Sequence, residues 1–403
     1  MAGGSVARLG LGFVASVLVA RFLAPADYGA YLVLGTVAGL AGVLADPGLT
    51  QAVVKRIATA PDESRAAHLA SSFVWLRAAA ATVLVLVLAI GSRPLAGAML
   101  GRPDLSGYLV LALFGVLATA LSGAVSTLLQ ASRRFGRLSV VLLVNSGLTA
   151  LLAAGLAVGS WLNLGTALVI LGVGTSLVSA VLGWRFLPWP LRRPSNDSLP
   201  AEAAQLFRFG RWLWLGDLLA LAATQLDVLL VGRWGSLAAA GSYGLALSLA
   251  SKVDVINHSL YTVLLPLAAA LDVRRDVRGY VRTSLRRSGL VAAALLVLVP
   301  LAGPMIQFFY GPAFQPAVAL FYPLLAIVVF DLFTTPLTLL AFSYDRPQLL
   351  AGADALRLIV LVGVGAWLIP VSGPFGAVVA RGVSRIVGAL VVVVALWLGR
   401  PRR

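Results

Sequence analysis

The chain reads as long apolar runs separated by short polar punctuation. From Leu138 to Trp184 there are 47 residues without a charged side chain, and from Ser288 to Phe330 there are 43. A helix needs roughly 20 apolar residues to cross a bilayer, so each run holds two spans and a turn. Breakers sit near the midpoints: Gly159-Ser160-Trp161-Leu162-Asn163 in the first run, Pro304 with Tyr310-Gly311-Pro312 in the second. Glycine and proline end helices and start turns there. Carried along the chain, the pattern predicts helices near residues 9–24, 30–50, 73–91, 107–128, 138–158, 164–184, 212–231, 240–268, 288–308, 315–341, 348–369 and 375–398. The expected class is an all-α polytopic membrane protein of about 12 transmembrane helices.

An internal repeat organises these spans. A shift of 212 residues lays the segment Arg21 to Tyr31 over Arg233 to Tyr243, with Arg21/Arg233, Gly29/Gly241 and Tyr31/Tyr243 in register. A shift of 211 lays Leu128, Leu129 and Ser132 over Leu339, Leu340 and Ser343. The reading is an N-terminal six-helix bundle over 1–186, a cytoplasmic linker over 187–207, and a C-terminal six-helix bundle over 208–403. Six is even, so both halves enter the membrane in the same direction, a parallel pseudo-two-fold repeat. Because the first predicted helix matches the seventh, it is expected to be retained, not cleaved as a signal peptide.

Composition agrees: 60% of residues are hydrophobic and 11% charged, against about 25% charged in a soluble domain. The net charge of +16 changes the picture through its placement. Arg8, Lys55, Arg56, Arg65, Arg133, Arg134, Arg137, Arg185, Arg192, Arg193, Arg208, Arg211, six arginines from Arg274 to Arg287, Arg346, Arg400, Arg402 and Arg403 fall on one set of alternate connections, 22 in all. The other set carries only Arg21, Arg93, Arg102 and Arg233. Positive charge gathers on the cytoplasmic side, so both termini are expected there. Basic residues scattered in this way do not form a nucleic-acid surface.

The chemistry available is narrow. Cysteine is absent and the only histidines are His68 and His258, which excludes disulfides, thiol nucleophiles and the usual metal sites. No cofactor is expected. A phosphate loop needs lysine after glycine, and neither Lys55 nor Lys252 follows one. No nucleophile or acid/base constellation stands out, so the chain is read as no enzyme.

Charge inside a span is then the main functional signal. Asp217, Thr224, Gln225 and Asp227 lie within an arc of about 160° on the seventh helix, facing either a cavity or a neighbouring helix. On the eighth, Lys252, Ser248 and Ser259 share one side, with Asp254, Asn257, His258 and Tyr261 opposite. A lone cation at mid-span costs at least ~2.5 kcal/mol, so Lys252 meets either an anionic substrate or a carboxylate such as Asp227 or Asp217. His258 is either a proton carrier or a buried hydrogen-bonded side chain. Asp354 and Arg357, at i and i+3, can neutralise each other. Arg381 and Arg385 need anions, for which Asp331 is a candidate. Arg21 and Lys55 suit a substrate phosphate or an interfacial anchor, and the run from Arg274 to Arg287 suits anionic lipid headgroups.

Four segments resemble the polysaccharide flippases of the multidrug/oligosaccharidyl-lipid/polysaccharide exporter superfamily. They are Arg21-Phe22-Leu23-Ala24-Pro25-Ala26-Asp27-Tyr28-Gly29-Ala30-Tyr31; Ala45-Asp46-Pro47-Gly48-Leu49 with Lys55-Arg56; Leu226-Asp227-Val228-Leu229-Leu230-Val231-Gly232; and Phe309-Tyr310-Gly311-Pro312-Ala313-Phe314. The resemblance implies two lobes around a cationic cavity. It also implies that lipid-linked oligosaccharide is flipped from the cytoplasmic to the outer leaflet of the inner membrane by alternating access. Membrane lipids, a polysaccharide polymerase and glycosyltransferases are the implied partners. Arg21, Lys55, Asp217, Gln225, Asp227, Lys252 and Arg381 are the candidate substrate-binding residues. Read alone, the residues leave open a multidrug-type cation-coupled exporter, a membrane scaffold, or an enzyme of envelope polysaccharide assembly.

Overall fold

Residues 2–188, 191, 199–270, 277–344, 346 and 348–398 are described by the computed structural model, and every regular element among them is helical. Much of the expected linker over 187–207, with Arg192, Arg193, Arg274, Arg275, Arg400, Arg402 and Arg403, lies outside these residues, as does the side chain of His258. Two units, Met1–Leu221 and Ala222–Arg403, divide the chain inside the long helix Leu199–Trp234.

The first unit is built from α1 (Ala2–Phe22), α2 (Pro25–Leu44), α3 (Leu49–Ala58), α4 (Glu63–Ile90), α5 (Ser92–Leu95), α6 (Ser106–Ala131), α7 (Phe135–Val158), α8 (Leu164–Thr166), α9 (Thr175–Phe186) and the first part of α10 (Leu199–Trp234). Local chemistry sets its boundaries. Pro25 opens α2, where its fixed φ suits a first turn and the missing N–H has no partner to lose. Asp62 accepts from the Arg65 N–H at 2.6 Å and so caps α4. Asn163 and Thr166 exchange two hydrogen bonds of 2.9 Å at the turn expected after α7, a reciprocal cap that satisfies two otherwise orphaned N–H groups. From there one span runs through α8, the π-helical turns Ala167–Gly174 and α9. The core lies where α3, α4, α6 and the start of α10 meet, around fully buried Phe73, Leu128, Leu129 and Leu206.

The second unit continues α10 into α11 (Leu237–Ala269), α12 (Val277–Leu295), α13 (Leu298–Tyr310), α14 (Gln315–Thr338), α15 (Leu340–Ser343), α16 (Gln348–Ser372) and α17 (Pro374–Leu398). Helix α14 packs against α11, α12 and α17, and α16 lies along α17. Gly311 ends α13 at φ +90°, a conformation costly for any side chain. Tyr310 and Phe314 close the same turn edge to face, 6.5 Å apart, so the aromatic motif here is a turn built on one glycine.

Among the described residues nine helical runs are long and apolar enough to cross a membrane, and ten when α12 and α13, bent by 44°, count as one. Helices α1 and α11 complete the expected set of segments. Large apolar side chains such as Ile90, Leu151, Val158 and Trp367 are exposed, as contact with lipid requires.

Three expectations need correction. The single span over 30–50 is two helices, because Pro47 and Gly48 break it between α2 and α3. Helices α10 and α12 begin at Leu199 and Val277, well before 212 and 288. Arg208, Arg211, Arg278, Arg282, Arg286 and Arg287 therefore ride on helices and not in loops. Apolarity marks only the hydrocarbon depth, whereas helical hydrogen bonding continues among the headgroups. Pro304 does not break the run either, since α13 passes through it, as membrane helices tolerate.

Candidate functional site

In the first unit the polar residues gather at the α2–α3 break. Asp46 begins the break and turns its carboxylate back onto α3: Oδ1 accepts from the Thr50 N–H at 3.2 Å and Oδ2 from the Thr50 hydroxyl at 2.5 Å. Arg77, one turn past Phe73 on α4, donates from Nη1 to Asp46 Oδ2 at 2.8 Å and to Thr50 Oγ1 at 2.5 Å. Glycine makes room for this arginine: a Cβ on Gly123 of α6 would lie 2.8 Å from Arg77 Nη2. Gly48 takes φ +74°, and the backbone of Gly210 on α10 presses against it so closely that neither glycine can carry a Cβ. The indole N–H of Trp214 donates to Val43 O at 2.8 Å and fixes the same helix.

This seam holds two of the candidate residues. Gln51 donates to Asp217 Oδ2 at 2.7 Å, and the Lys55 ammonium sits 4.7 Å above the Phe209 ring, an electrostatic attraction to the ring face. One turn apart on α3, Gln51 and Lys55 meet α10 side by side. Arg21 stands exposed in the last turn of α1, so Arg21 and Lys55 occupy separate elements.

In the second unit Asp227 is completely buried. Its Oδ2 accepts from the Tyr243 hydroxyl at 2.5 Å and from Arg381 Nε at 2.8 Å, while Arg381 Nη2 donates to Thr224 O at 2.7 Å. A buried charge survives only if paired and hydrogen-bonded, and here α10, α11 and α17 supply every partner. Arg381 thus takes Asp227 as its anion. Asp331, considered for either arginine, goes to Arg385 at 3.3 Å. Asp354 and Arg357 pair at 2.8 Å as their spacing predicts, and the Arg357 stem lies where a Cβ on Gly388 would stand.

Helix α11 separates its polar residues by side. Asn257 is buried, donating to Asp254 Oδ1 at 2.7 Å and to Val328 O on α14 at 3.1 Å. Lys252 lies on an exposed side and donates to Ser248 Oγ at 3.0 Å. Gln225 is exposed on α10. The network of Asp46, Thr50 and Arg77 escaped the reading of site residues. Its available signal was an arginine surviving inside a span and an aspartate beside Pro47. Tyr243 was missed as well, although the repeat aligned it with Tyr31.

The family model described as polysaccharide biosynthesis protein matches residues 18–319. The chain is 24% identical over 246 residues to the probable flippase AglR of Haloferax volcanii, covering 57% of this chain and 51% of that protein. It is 28% identical over 312 residues to the succinoglycan biosynthesis transport protein ExoT of Rhizobium meliloti, covering 75% and 59%. The chain thus spans between half and three-fifths of the length of these curated relatives. Among solved structures, a multidrug resistance MATE family transporter of the MOP superfamily matches with a TM-score of 0.75, at 15% identity over 98% of this chain and 99% of that one. The lipid II flippase MurJ matches with a TM-score of 0.76, at 14% identity over 98% and 88%. At such identity these structures establish the fold alone.

Proposed function

Since the chain belongs to the polysaccharide biosynthesis protein family, we propose that it flips a lipid-linked oligosaccharide, a sugar on polyprenyl diphosphate, from the cytoplasmic to the outer leaflet of the inner membrane. The observation that carries this reading is Lys252, an ammonium on an exposed side near the middle of the long helix α11. Such a charge lowers the cost of desolvating a diphosphate by direct pairing. The relatives named as a flippase and as a polysaccharide transport protein point the same way.

Lys252 takes the phosphates. Asp217 and Gln225 accept and donate to sugar hydroxyls. Asp227 and Arg381, which neutralise each other out of reach of solvent, act as a frame holding α10, α11 and α17 together, and not as direct contacts. The two halves alternate between inward and outward exposure of the headgroup while the lipid tail remains in the bilayer. Glycosyltransferases supply the substrate on the cytoplasmic side, where both termini lie, and a polymerase consumes it outside.

The test is flipping of a polyprenyl-diphosphate sugar by purified protein in vesicles. Lys252→Ala should cut the rate at least ~10-fold, the loss of one charge-assisted contact, with normal thermal stability. Lys252→Arg should keep part of the rate, because charge is retained in a different shape. A stable Lys252→Ala protein that flips at the wild-type rate overturns the assignment, and transport of small cations in place of the sugar lipid overturns the function.

A further inference from the structure

A cavity of about 470 Å³ opens in the second unit where the end of α11 meets the start of α12. Its floor is apolar, Leu264, Leu267 and Ala270, and its other wall carries Tyr280, Thr283, Ser284 and Arg287. The corner is firmly built. Tyr280 donates to Pro336 O at 3.3 Å, Ser288 to Leu332 O at 2.6 Å, and Ser343 to Ala268 O at 2.5 Å, so α14 and α15 hold both walls from behind. Leu264 and Ala268 pack with Leu339 beneath it. None of these residues belongs to the proposed transport machinery.

The lining is amphiphilic in one direction. Gly279, Thr283 and Arg287 recur every four residues along one side of α12, which places a hydroxyl and a guanidinium one turn apart and leaves the glycine open. Arg278, Arg282 and Arg286 follow the adjoining exposed stripe of the same helix. Val263 and Leu267, one turn apart on α11, are largely exposed, a path on which an acyl chain can lie. Basic pockets between membrane helices at the cytoplasmic surface suit lipid phosphates, and the orientation read from the basic residues puts this corner on that surface. We propose that the α11–α12 corner is a binding site for an anionic membrane phospholipid, its phosphodiester on Arg287 and Thr283 and one acyl chain over Leu264 and Leu267. Among the described residues one cation, Arg287, lines the cavity beside neutral hydroxyls, which matches the one charge of a phosphodiester better than the higher charge of a diphosphate. The bound lipid braces α12 against α11, and this role is separate from the transported substrate.

The experiment counts lipid bound to the purified full chain by native mass spectrometry, using phosphatidylglycerol, phosphatidylcholine and polyprenyl diphosphate as probes. Wild-type protein should retain phosphatidylglycerol in preference to phosphatidylcholine. Arg287→Gln with Thr283→Val should weaken that retention about tenfold, the effect of one charge-assisted contact. Arg287→Lys should keep most of it, and Arg93→Gln, a control on α5, should leave it unchanged. Thermal melting without lipid checks that each variant is folded; if the double variant is not, Arg287→Gln alone carries the test. Undiminished phosphatidylglycerol retention in a folded Arg287→Gln protein overturns the proposal, as does an equal loss in Arg93→Gln. Preferential capture of polyprenyl diphosphate, with the same dependence on Arg287, assigns the corner to the transported lipid and overturns it too.

Discussion

Each unit pairs an arginine with an aspartate and a hydroxyl as the third member, yet the two clusters are set in opposite kinds of backbone. Asp46, Thr50 and Arg77 assemble at a broken helix, where the carboxylate caps the start of α3 and the ion pair keeps 14% and 16% of its side chains exposed. Asp227, Tyr243 and Arg381 join unbroken helices, and there Asp227 is sealed and Arg381 nearly so. The repeat register sharpens the contrast. Helix α11 runs continuously through the positions that match the α2–α3 break, whereas the second unit bends instead at Leu296–Val297, positions that match the unbroken α4 in the repeat register. The same group chemistry therefore serves a joint in one unit and a rivet in the other. A carboxylate that caps a helix depends on the turn it caps, whereas one locked among three helices depends only on their packing.

The largest effect is expected at the rivet. Arg381→Ala leaves Asp227 charged and buried and should lower stability by about 3–5 kcal/mol, read as a fall in the thermal unfolding midpoint in detergent. Asp227→Asn combined with Arg381→Met removes both charges and should recover roughly half of that loss, since apolar replacement of a whole buried pair is often tolerated. No recovery would mean that the charges themselves hold the helices. At the joint, Gly48→Ala should cost about 2–3 kcal/mol, from the left-handed backbone and the clash with Gly210. Gly35→Ala, where open space awaits the methyl group, should be close to neutral by the same measurement. If both glycine variants melt alike, the break is not pinned by Gly210. The mildest disruption of either cluster is Asp46→Asn, which keeps an acceptor for the Thr50 N–H but gives up the charge facing Arg77. It should cost about 1–2 kcal/mol, and a loss as large as that of Arg381→Ala would erase the distinction between the clusters.

Element positions were legible because apolar runs and breakers are local: the turn at Gly159–Asn163 and the motif turn at Gly311 stand where the pattern puts them. Helix ends were not, because Arg208 to Arg211 and Arg278 to Arg287 look like loop residues although their backbone stays helical. On α11, 100° spacing separated Lys252 from Asp254 and Asn257, and the packing of Asn257 on Val328 agrees. Which helix answers a buried charge was out of reach. Periodicity assigns Asp227 and Arg381 to faces of their own helices, but it says nothing about which helix stands opposite. That pairing spans 154 positions and follows only from how α10 and α17 pack.

The glycines beside two half-buried arginines have a genetic consequence. Gly123 and Gly388 sit in ordinary helical backbone, so neither is required by its conformation; Gly123 makes room for the Arg77 guanidinium and Gly388 for the Arg357 stem. A methyl group at Gly388 evicts an arginine, and a shorter residue at Arg357 leaves the berth vacant. The two positions of each pair are therefore coupled: second-site suppressors of a Gly388 substitution should map to position 357, and those of Gly123 to position 77.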